Sequence, residues 1–138
     1  MVEAVDSGLD ACIDKDHKAG PNETEVAGFI GDAKGRDLIL IDDMVDTGGS
    51  TCNAIQKAYN MGARLVLACA SHSILSGEAK ARFVRDGREL VTLDTIPRSS
   101  EYVEHNREWL TYLSTDQMLA NAIFEASLIG GSVSKLSN

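Results

Sequence analysis

A continuous apolar run, Leu38-Ile39-Leu40-Ile41, leads directly into two aspartates, Asp42 and Asp43. A run of branched apolar residues without polar alternation is typical of a strand that is buried on both faces of a parallel sheet. The run therefore favours a fold in which helices cover such a sheet. Ligands of open parallel sheets bind beyond the carboxyl ends of the strands. We therefore expect Asp42 and Asp43 to lie at a binding edge.

Two glycines interrupt this pattern shortly afterwards, in the segment Asp46-Thr47-Gly48-Gly49-Ser50. Apolar residues then recur with helical spacing, which predicts a helix over about 51–61. Ser50 is a suitable N-cap for this helix, and Gly62 suits the left-handed position that closes it. The order strand, glycine turn, helix therefore characterises this part of the chain.

The rest of the chain alternates between strand and helix patterns and contains no internal repeat. This order predicts βαβ units, and hence an α/β fold with a parallel β-sheet flanked by helices. A length of 138 residues suits a single domain with one hydrophobic core. We predict strands over 9–14, 64–70, 89–94 and 109–113, helices over 77–85 and 115–129 with Thr115 as a candidate cap, and polar connections over 15–25, 71–76 and 98–107.

The net charge of −8 disfavours proteins that need a positive surface, so we expect neither a nucleic-acid nor a membrane partner. No apolar stretch approaches the length of about 20 residues that a membrane-spanning helix needs. Cys12, Cys52 and Cys69 are widely spaced, which favours reduced thiols over a disulfide framework or a zinc site. The acidic N-terminus has no signal-peptide pattern, so the expected compartment is the cytoplasm.

The segment from Asp42 to Ser50 has the chemistry of a sugar-phosphate site. Neighbouring carboxylates accept hydrogen bonds from two adjacent sugar hydroxyls, or hold Mg²⁺ through water. Glycines allow close approach of the backbone, and N–H groups at a helix N-terminus favour phosphate. Taken singly, an aspartate pair or a glycine pair is also an ordinary feature of a strand end. Their combination is more specific, and without Gly-Lys-Ser/Thr it is not a Walker loop.

This combination resembles the phosphoribosyl-pyrophosphate loop of type I phosphoribosyltransferases and of ribose-phosphate pyrophosphokinases. The resemblance to the second family is collinear from about residue 9 to the end of the chain. It implies a type I phosphoribosyltransferase-like domain over residues 1–138, matching the second half of a two-domain family. Besides the loop, the segments that carry it are Ile13-Asp14-Lys15, Asn22–Val26, Ile30–Asp37, Gly62-Ala63-Arg64, Ser71–Gly77, Asp94–Pro97, Met118–Ile123 and Ser132–Leu136.

The resemblance also implies roles for individual residues. The family transfers the β,γ-diphosphoryl group of ATP to O1 of ribose 5-phosphate, which makes phosphoribosyl pyrophosphate for nucleotide biosynthesis. In this chain Lys15, on a mobile loop, would be the catalytic residue, Asp42 would bind the ribose hydroxyls with Asp43 assisting by orientation or through a metal-bound water, and residues 46–50 would hold the 5-phosphate. A lysine and Mg²⁺ stabilise the charge that this transfer builds on phosphoryl oxygens. No side chain is assigned as a direct metal ligand.

Two differences from the family pattern concern the binding of ATP. Where the family has an arginine two places after the lysine, this chain has His17, and either His17 or Lys18 is the candidate for contact with ATP or phosphate. The sequence also shows no counterpart of the first domain, which supplies the adenine site. We therefore expect ribose 5-phosphate to bind here, and the ATP site to be completed by a missing N-terminal domain. His72 either supports the pocket or bonds locally, and both interpretations stay open.

Three functions compete. The first is the C-terminal domain of a ribose-phosphate pyrophosphokinase, with Mg²⁺ as cofactor and with activity that depends on the other half. The second is a free-standing type I phosphoribosyltransferase, although no separate base-binding hood is visible in the sequence. The third is a non-catalytic subunit that associates with such synthetases. Since the family assembles through both of its domains, a homo-oligomer is expected.

Overall fold

The computed structural model describes residues 2–6, 9–16, 25–30, 33–128 and 131–134, with side chains for 33–128 and 131–134. Within these ranges strands and helices alternate after an initial group of three strands. The strands are β1 Val2–Asp6, β2 Leu9–Asp16, β3 Glu25–Ile30, β4 Asp37–Val45, β5 Leu65–Ser73, β6 Leu90–Leu93 and β7 Leu110–Leu113. The helices are α1 Gly49–Asn60, α2 Ala79–Arg85, α3 Ser100–Asn106 and α4 Asp116–Ser127.

The described strands form one sheet, in the order β3-β2-β1-β4-β5-β6-β7. Strands β4 to β7 run parallel to one another, and the helices α1, α2 and α3 connect them in turn. This arrangement confirms the predicted α/β class with a parallel sheet and helices. The three N-terminal strands extend the sheet in antiparallel fashion, with β1 pairing both β2 and β4. The strand predicted over 9–14 is confirmed by β2, but the sequence patterns predicted neither β1 and β3 nor the antiparallel pairing.

The prediction of a loop over 15–25 is wrong at both of its ends. Strand β2 continues through Lys15 and Asp16, which pair with Val26 and Glu25 of β3. The ladder of an antiparallel pair uses backbone groups, so polar side chains do not prevent it. Lys15 therefore lies in a strand rather than in a loop. Residues 17–24 lie outside the described ranges.

Strand β4 is covered on one face, whereas the sequence predicted burial on both. Leu38 and Leu40 are fully buried in a core that also contains Ile55 of α1. Ile39 and Ile41 are 40% and 41% exposed. Successive side chains of a strand point to opposite faces, so the helices that bury the first pair leave the second pair uncovered within the described part of the chain.

The core continues from β4 towards β7 through aromatic packing. Phe83 of α2 is fully buried, and its ring stacks on that of Trp109 with 5.5 Å between the centroids. Offset stacking of this kind adds to the stabilisation that comes from burial of the rings. The side chains of Leu90 and Leu110 are also buried here. Phe83 thereby fixes α2 next to the start of α1.

The ends of α1 confirm one sequence prediction and correct another. Gly62 has a φ of 90°, and the N–H groups of Gly62 and Ala63 donate to the carbonyls of Tyr59 and Ala58 at 2.9 and 3.1 Å. This is the glycine-closed helix end that the sequence predicted. At the other end the predicted N-cap Ser50 is wrong, because Gly48 occupies the cap position and Ser50 lies inside the helix.

Two of the predicted polar connections contain regular structure. Helix α3 lies within 98–107, where the Ser99 hydroxyl caps it by accepting a hydrogen bond from the Tyr102 N–H at 3.2 Å. Ser99 alone did not predict this helix, because the segment lacks the long apolar stripe of an amphipathic helix. Strand β5 extends to Ser73, into the predicted connection 71–76. Pairing with the end of β4 carries it that far.

Candidate functional site

The two aspartates lie within β4, four and five residues after Leu38, its first buried residue, and they differ in environment. Asp42 is only 5% exposed, whereas Asp43 is exposed. The Asp43 N–H donates to Asp42 Oδ1 at 3.1 Å. Hydrogen bonding with the Asp42 side chain, helped by backbone hydrogen bonds, holds the pKa of Asp43 below its ordinary value. Asp43 therefore presents an ionised carboxylate at neutral pH, next to the carboxyl end of the strand.

Beyond β4 the chain turns sharply into α1 through Gly48. This residue has φ 73° and ψ 0°, a left-handed conformation that glycine adopts without a Cβ penalty. The first helical hydrogen bond runs from the Cys52 N–H to the Gly48 carbonyl at 2.9 Å. The N–H groups of the first turn precede that bond, and no side chain caps them. The start of α1 thus offers backbone donors and a positive dipole end to an anion.

A second connection, between β5 and α2, holds the loop in place. The Ser76 hydroxyl donates to Asp46 Oδ1, and the Ser76 N–H donates to the Asp46 carbonyl at 3.1 Å. Just before them, the N–H of Ile74 donates to the Val45 carbonyl at 2.9 Å. One carboxylate oxygen of Asp46 therefore anchors the loop, residues 46–50, to the connection between β5 and α2.

Arg82, which the sequence analysis did not single out, lies against the loop. Its guanidinium occupies the space into which a Cβ at residue 49 would project. It comes from α2, and the stacking of Phe83 on Trp109 sets the position of that helix. No local pattern marks Arg82, because only the packing of α2 beside α1 brings it to Gly49.

His72 bonds locally, with a defined protonation pattern. The Thr95 hydroxyl donates its single proton to the Ser71 carbonyl at 2.7 Å, so it accepts from His72 Nδ1, which lies 2.8 Å away. The neutral ring therefore carries its proton on Nδ1. This supports the local interpretation of His72. A contact with substrate is an untested prediction.

The structure brings Asp42, Asp43 and residues 46–50 together in one continuous edge of the sheet. The backbone of Lys15 is in β2, but its side chain, and all of His17 and Lys18, lie outside the described part. Their predicted roles stay predictions. The thiols of Cys52 and Cys69 are free, and burial raises the pKa of both.

The described residues contain no group of three or more His, Cys, Asp or Glu side chains placed to hold a metal ion. None of the helices in the same ranges is long and apolar enough to cross a membrane.

Comparison with known proteins shows which family the chain resembles. A family model described as the phosphoribosyl synthetase-associated domain matches residues 13–136. The ribose-phosphate pyrophosphokinase of Pasteurella multocida (strain Pm70) is 42% identical over 114 residues, which are 82% of this chain and 35% of that protein. Its counterpart from Nitrosomonas europaea is 37% identical over 129 residues, which are 93% of this chain and 37% of that protein.

A solved structure gives the same relationship in three dimensions. The crystal structure of phosphoribosylpyrophosphate synthetase from Mycobacterium smegmatis matches with a TM-score of 0.59 and 33% identity, over 78% of this chain and 36% of that one. The chain thus spans about a third of the length of the relatives that it matches. With a family model covering most of its residues, the chain belongs to the phosphoribosyl synthetase-associated domain family and is a relative of the ribose-phosphate pyrophosphokinases.

Proposed function

We propose that this chain binds ribose 5-phosphate and forms the acceptor part of a ribose-phosphate diphosphokinase, which transfers diphosphate from ATP to O1 of the sugar. One observation carries the proposal. Strand β4, buried on one face, carries Asp42 and Asp43 near its carboxyl end, and a short turn leads from it into the uncapped N-terminus of α1. In this proposal the carboxylates accept hydrogen bonds from the ribose hydroxyls, and residues 46–50 hold the 5-phosphate.

Lys15 is proposed to stabilise the diphosphoryl group during transfer. As O1 attacks the β-phosphorus and the bond to AMP breaks, negative charge develops on the phosphoryl oxygens. A lysine ammonium opposite that charge lowers the barrier. His17 or Lys18 would supply a further contact with ATP or with phosphate, in the position where the family has arginine.

Mg²⁺ is the proposed cofactor, and the described residues fit a particular way of holding it. Mg²⁺ is usually bound by one or two carboxylates together with substrate phosphates and water. The exposed Asp43, with its lowered pKa, is an ionised oxygen donor of this kind. A cage of three or more ligand side chains is not present among the described residues. Asp43 would therefore hold Mg²⁺ through a bound water, and the ion would neutralise charge on the bound phosphates.

The donor half of the site is proposed to lie elsewhere. The chain spans about a third of the length of its pyrophosphokinase relatives. We propose that it corresponds to their C-terminal domain, as a single phosphoribosyltransferase-like unit, and that an N-terminal domain completes the ATP site. Isolated, it should bind ribose 5-phosphate more tightly than ATP.

Calorimetric titration with ribose 5-phosphate, with and without Mg²⁺, tests the acceptor site. The expected result is saturable binding that ribose alone does not reproduce, because the phosphate supplies the charged contact. Asp43→Asn should weaken binding, and it should weaken it more with Mg²⁺ present than without. Absence of binding at millimolar ligand would remove the loop assignment.

Release of AMP from ATP and ribose 5-phosphate tests the reaction. The assay compares this chain alone with a longer form that includes the proposed N-terminal domain. Only the longer form is expected to turn over, and Lys15→Ala should lower its rate by at least about a hundredfold, the usual scale for loss of a group that stabilises transition-state charge. Full activity of that variant would contradict the role of Lys15.

A non-catalytic subunit associated with such synthetases is the second candidate. The matching family model is described as a synthetase-associated domain, and the chain spans only part of the length of its relatives. Binding of ribose 5-phosphate without AMP release in any longer form would favour it. Release of pyrophosphate from phosphoribosyl pyrophosphate on addition of nucleobases would instead favour a type I phosphoribosyltransferase.

A further inference from the structure

The guanidinium of Arg82 lies against Gly49, at the start of α1. Within the described residues it makes no hydrogen bond, and its one ion pair joins Nη2 to Glu78 Oε2 at 3.7 Å, beyond hydrogen-bonding distance. A guanidinium has five N–H donors in a planar fork. Arg82 is therefore held close to the loop with its donors largely uncommitted to the protein.

The position is electrostatically unfavourable without an anion. The N-terminus of a helix carries partial positive charge, and a cation placed there is repelled rather than stabilised. The first turn of α1 contains no acidic residue. On the loop, Asp46 Oδ1 accepts a hydrogen bond from the Ser76 hydroxyl. A dianionic phosphate between the guanidinium and the first N–H groups of α1 would satisfy both positive features together.

The neighbouring arginines of the same region show that this situation is specific to Arg82. The side chain of Arg85 is 70% exposed and pairs with Asp86 at 3.1 Å. Arg88 is buried and binds Asp86 at 2.9 Å and Gln56 at 3.0 Å. The side chain of Arg82 is 36% exposed, so it is less solvated than that of Arg85. Unlike Arg88, it has no close hydrogen-bond partner among the described residues, and it remains accessible to a ligand.

We propose that Arg82 is a further binding residue for the 5-phosphate of ribose 5-phosphate, acting with the backbone donors of the loop. The inference rests on the proposed function, because it takes the loop as the phosphate site. Arginine matches a phosphate with two parallel N–H···O bonds. Glu78 is then the group that competes with the phosphate for the guanidinium while the site is empty, and the ligand displaces it.

Calorimetric titration of the 138-residue chain and its Arg82→Gln variant with ribose 5-phosphate tests the proposal. The expected result is a loss of affinity of about tenfold or more, the scale of a charge-assisted hydrogen bond. Inorganic phosphate, used as a second probe, should lose affinity by a similar factor. Arg85→Gln is the matched control, because it removes the same charge from the same helix, and it should bind within about twofold of the wild type.

Glu78→Gln provides a variant in which Arg82 stays in place. Removal of the competing carboxylate should strengthen binding of ribose 5-phosphate, and a weakening would contradict the competition. Arg82→Gln binding within twofold of the wild type, or an equal loss in Arg85→Gln, would overturn the role of Arg82. If the wild-type chain itself does not bind ribose 5-phosphate, the proposed function fails, which is a different result from the failure of Arg82 alone.

Discussion

At the scale of single residues, the glycine pair of the loop meets two different constraints. Gly48 has φ 73°, and a Cβ there would lie 2.9 Å from Cε2 of the Phe83 ring. Gly49 has no such backbone requirement, but a Cβ there would displace the Arg82 guanidinium. The first glycine therefore shapes the turn and its packing on the core. The second leaves room for a cation beside the loop.

Gly48→Ala should lower the free energy of unfolding by about 2–4 kcal/mol, because it combines left-handed backbone strain with a clash against a fully buried ring. Gly35→Ala is the matched control. Gly35 has nearly the same φ, 71°, but nothing lies within 4 Å of its Cβ position. Its cost should be about 1–2 kcal/mol, from backbone strain alone. Equal costs for the two variants in urea denaturation would show that the contact with Phe83 contributes nothing.

At the scale of secondary-structure elements, the loop is built by two connections rather than one. The segment between β5 and α2 donates hydrogen bonds from Ile74 and Ser76 to the end of β4 and to Asp46. Leu75, between them, has a φ of 54°, an uncommon value for a residue with a side chain. The geometry of the loop from Asp46 to Ser50 therefore depends on the connection between β5 and α2.

Ser76→Ala should raise the dissociation constant for ribose 5-phosphate and lower stability by about 0.5–1.5 kcal/mol, because Asp46 loses a hydrogen-bond donor. The structural reason is that the loop then retains only backbone contacts to the β5–α2 connection. Ser100→Ala, in the exposed first turn of α3, is the control and should change neither quantity measurably. Unchanged affinity and unchanged stability in Ser76→Ala would refute the anchoring role.

A second link between elements joins the end of β6 to the start of α4. Asp94 Oδ1 accepts from the Thr115 hydroxyl at 2.7 Å and from the Thr115 N–H at 2.9 Å. Thr115 occupies the predicted N-cap position, but its hydroxyl binds Asp94 instead of capping the helix. These hydrogen bonds, the hydroxyl first, lower the pKa of Asp94.

Asp94 should make stability depend on pH. Because its pKa is lower in the folded chain than in the unfolded chain, its contribution is complete above about pH 4 and is lost as the pH falls through the lowered value. The difference in stability between the wild type and Asp94→Asn should therefore shrink as the pH falls from about 4 towards 2. Denaturant titrations at several pH values measure it. A difference that stays constant over this range would contradict the link.

At the scale of the whole molecule, the exposed large apolar side chains of the described residues include those of β4 and α4. Ile39 and Ile41 are exposed on the open face of the sheet. Helix α4 has no buried residue, and Ile123 and Phe124 are 70% and 61% exposed. Exposed apolar surface of this extent is typical of a surface that associates with another chain. The predicted helix over 115–129 is confirmed by α4 over Asp116–Ser127.

Self-association is therefore expected, and the family resemblance likewise implies a homo-oligomer. Sedimentation equilibrium should give a mass above the 14.8 kDa of one chain, rising with concentration. Ile123→Lys should shift the equilibrium towards the monomer, since it places a charge within the apolar face of α4. A mass of 14.8 kDa at every concentration would contradict the expectation.

The sequence by itself determined the features that depend on neighbours along the chain. The strand–loop–helix unit from β4 to α1, the closing role of Gly62 and the parallel α/β order all follow from local spacing, glycine conformation and apolar periodicity. The family resemblance rests on the same local motifs, and the family model confirms it. The roles of Asp42, Asp43 and Lys15 remain predictions of that resemblance.

Only the tertiary structure decided which distant groups meet at the loop and which faces are covered. Arg82 reaches Gly49, and Ser76 reaches Asp46, because α2 packs beside α1 on the stacked rings of Phe83 and Trp109. The positions of the helices likewise decide which face of β4 is covered. The sequence does not show this, because the apolar side chains of the strand alternate between its two faces and are equally apolar on both. Packing between segments far apart in sequence leaves no periodic pattern, so these features became visible only in the folded chain.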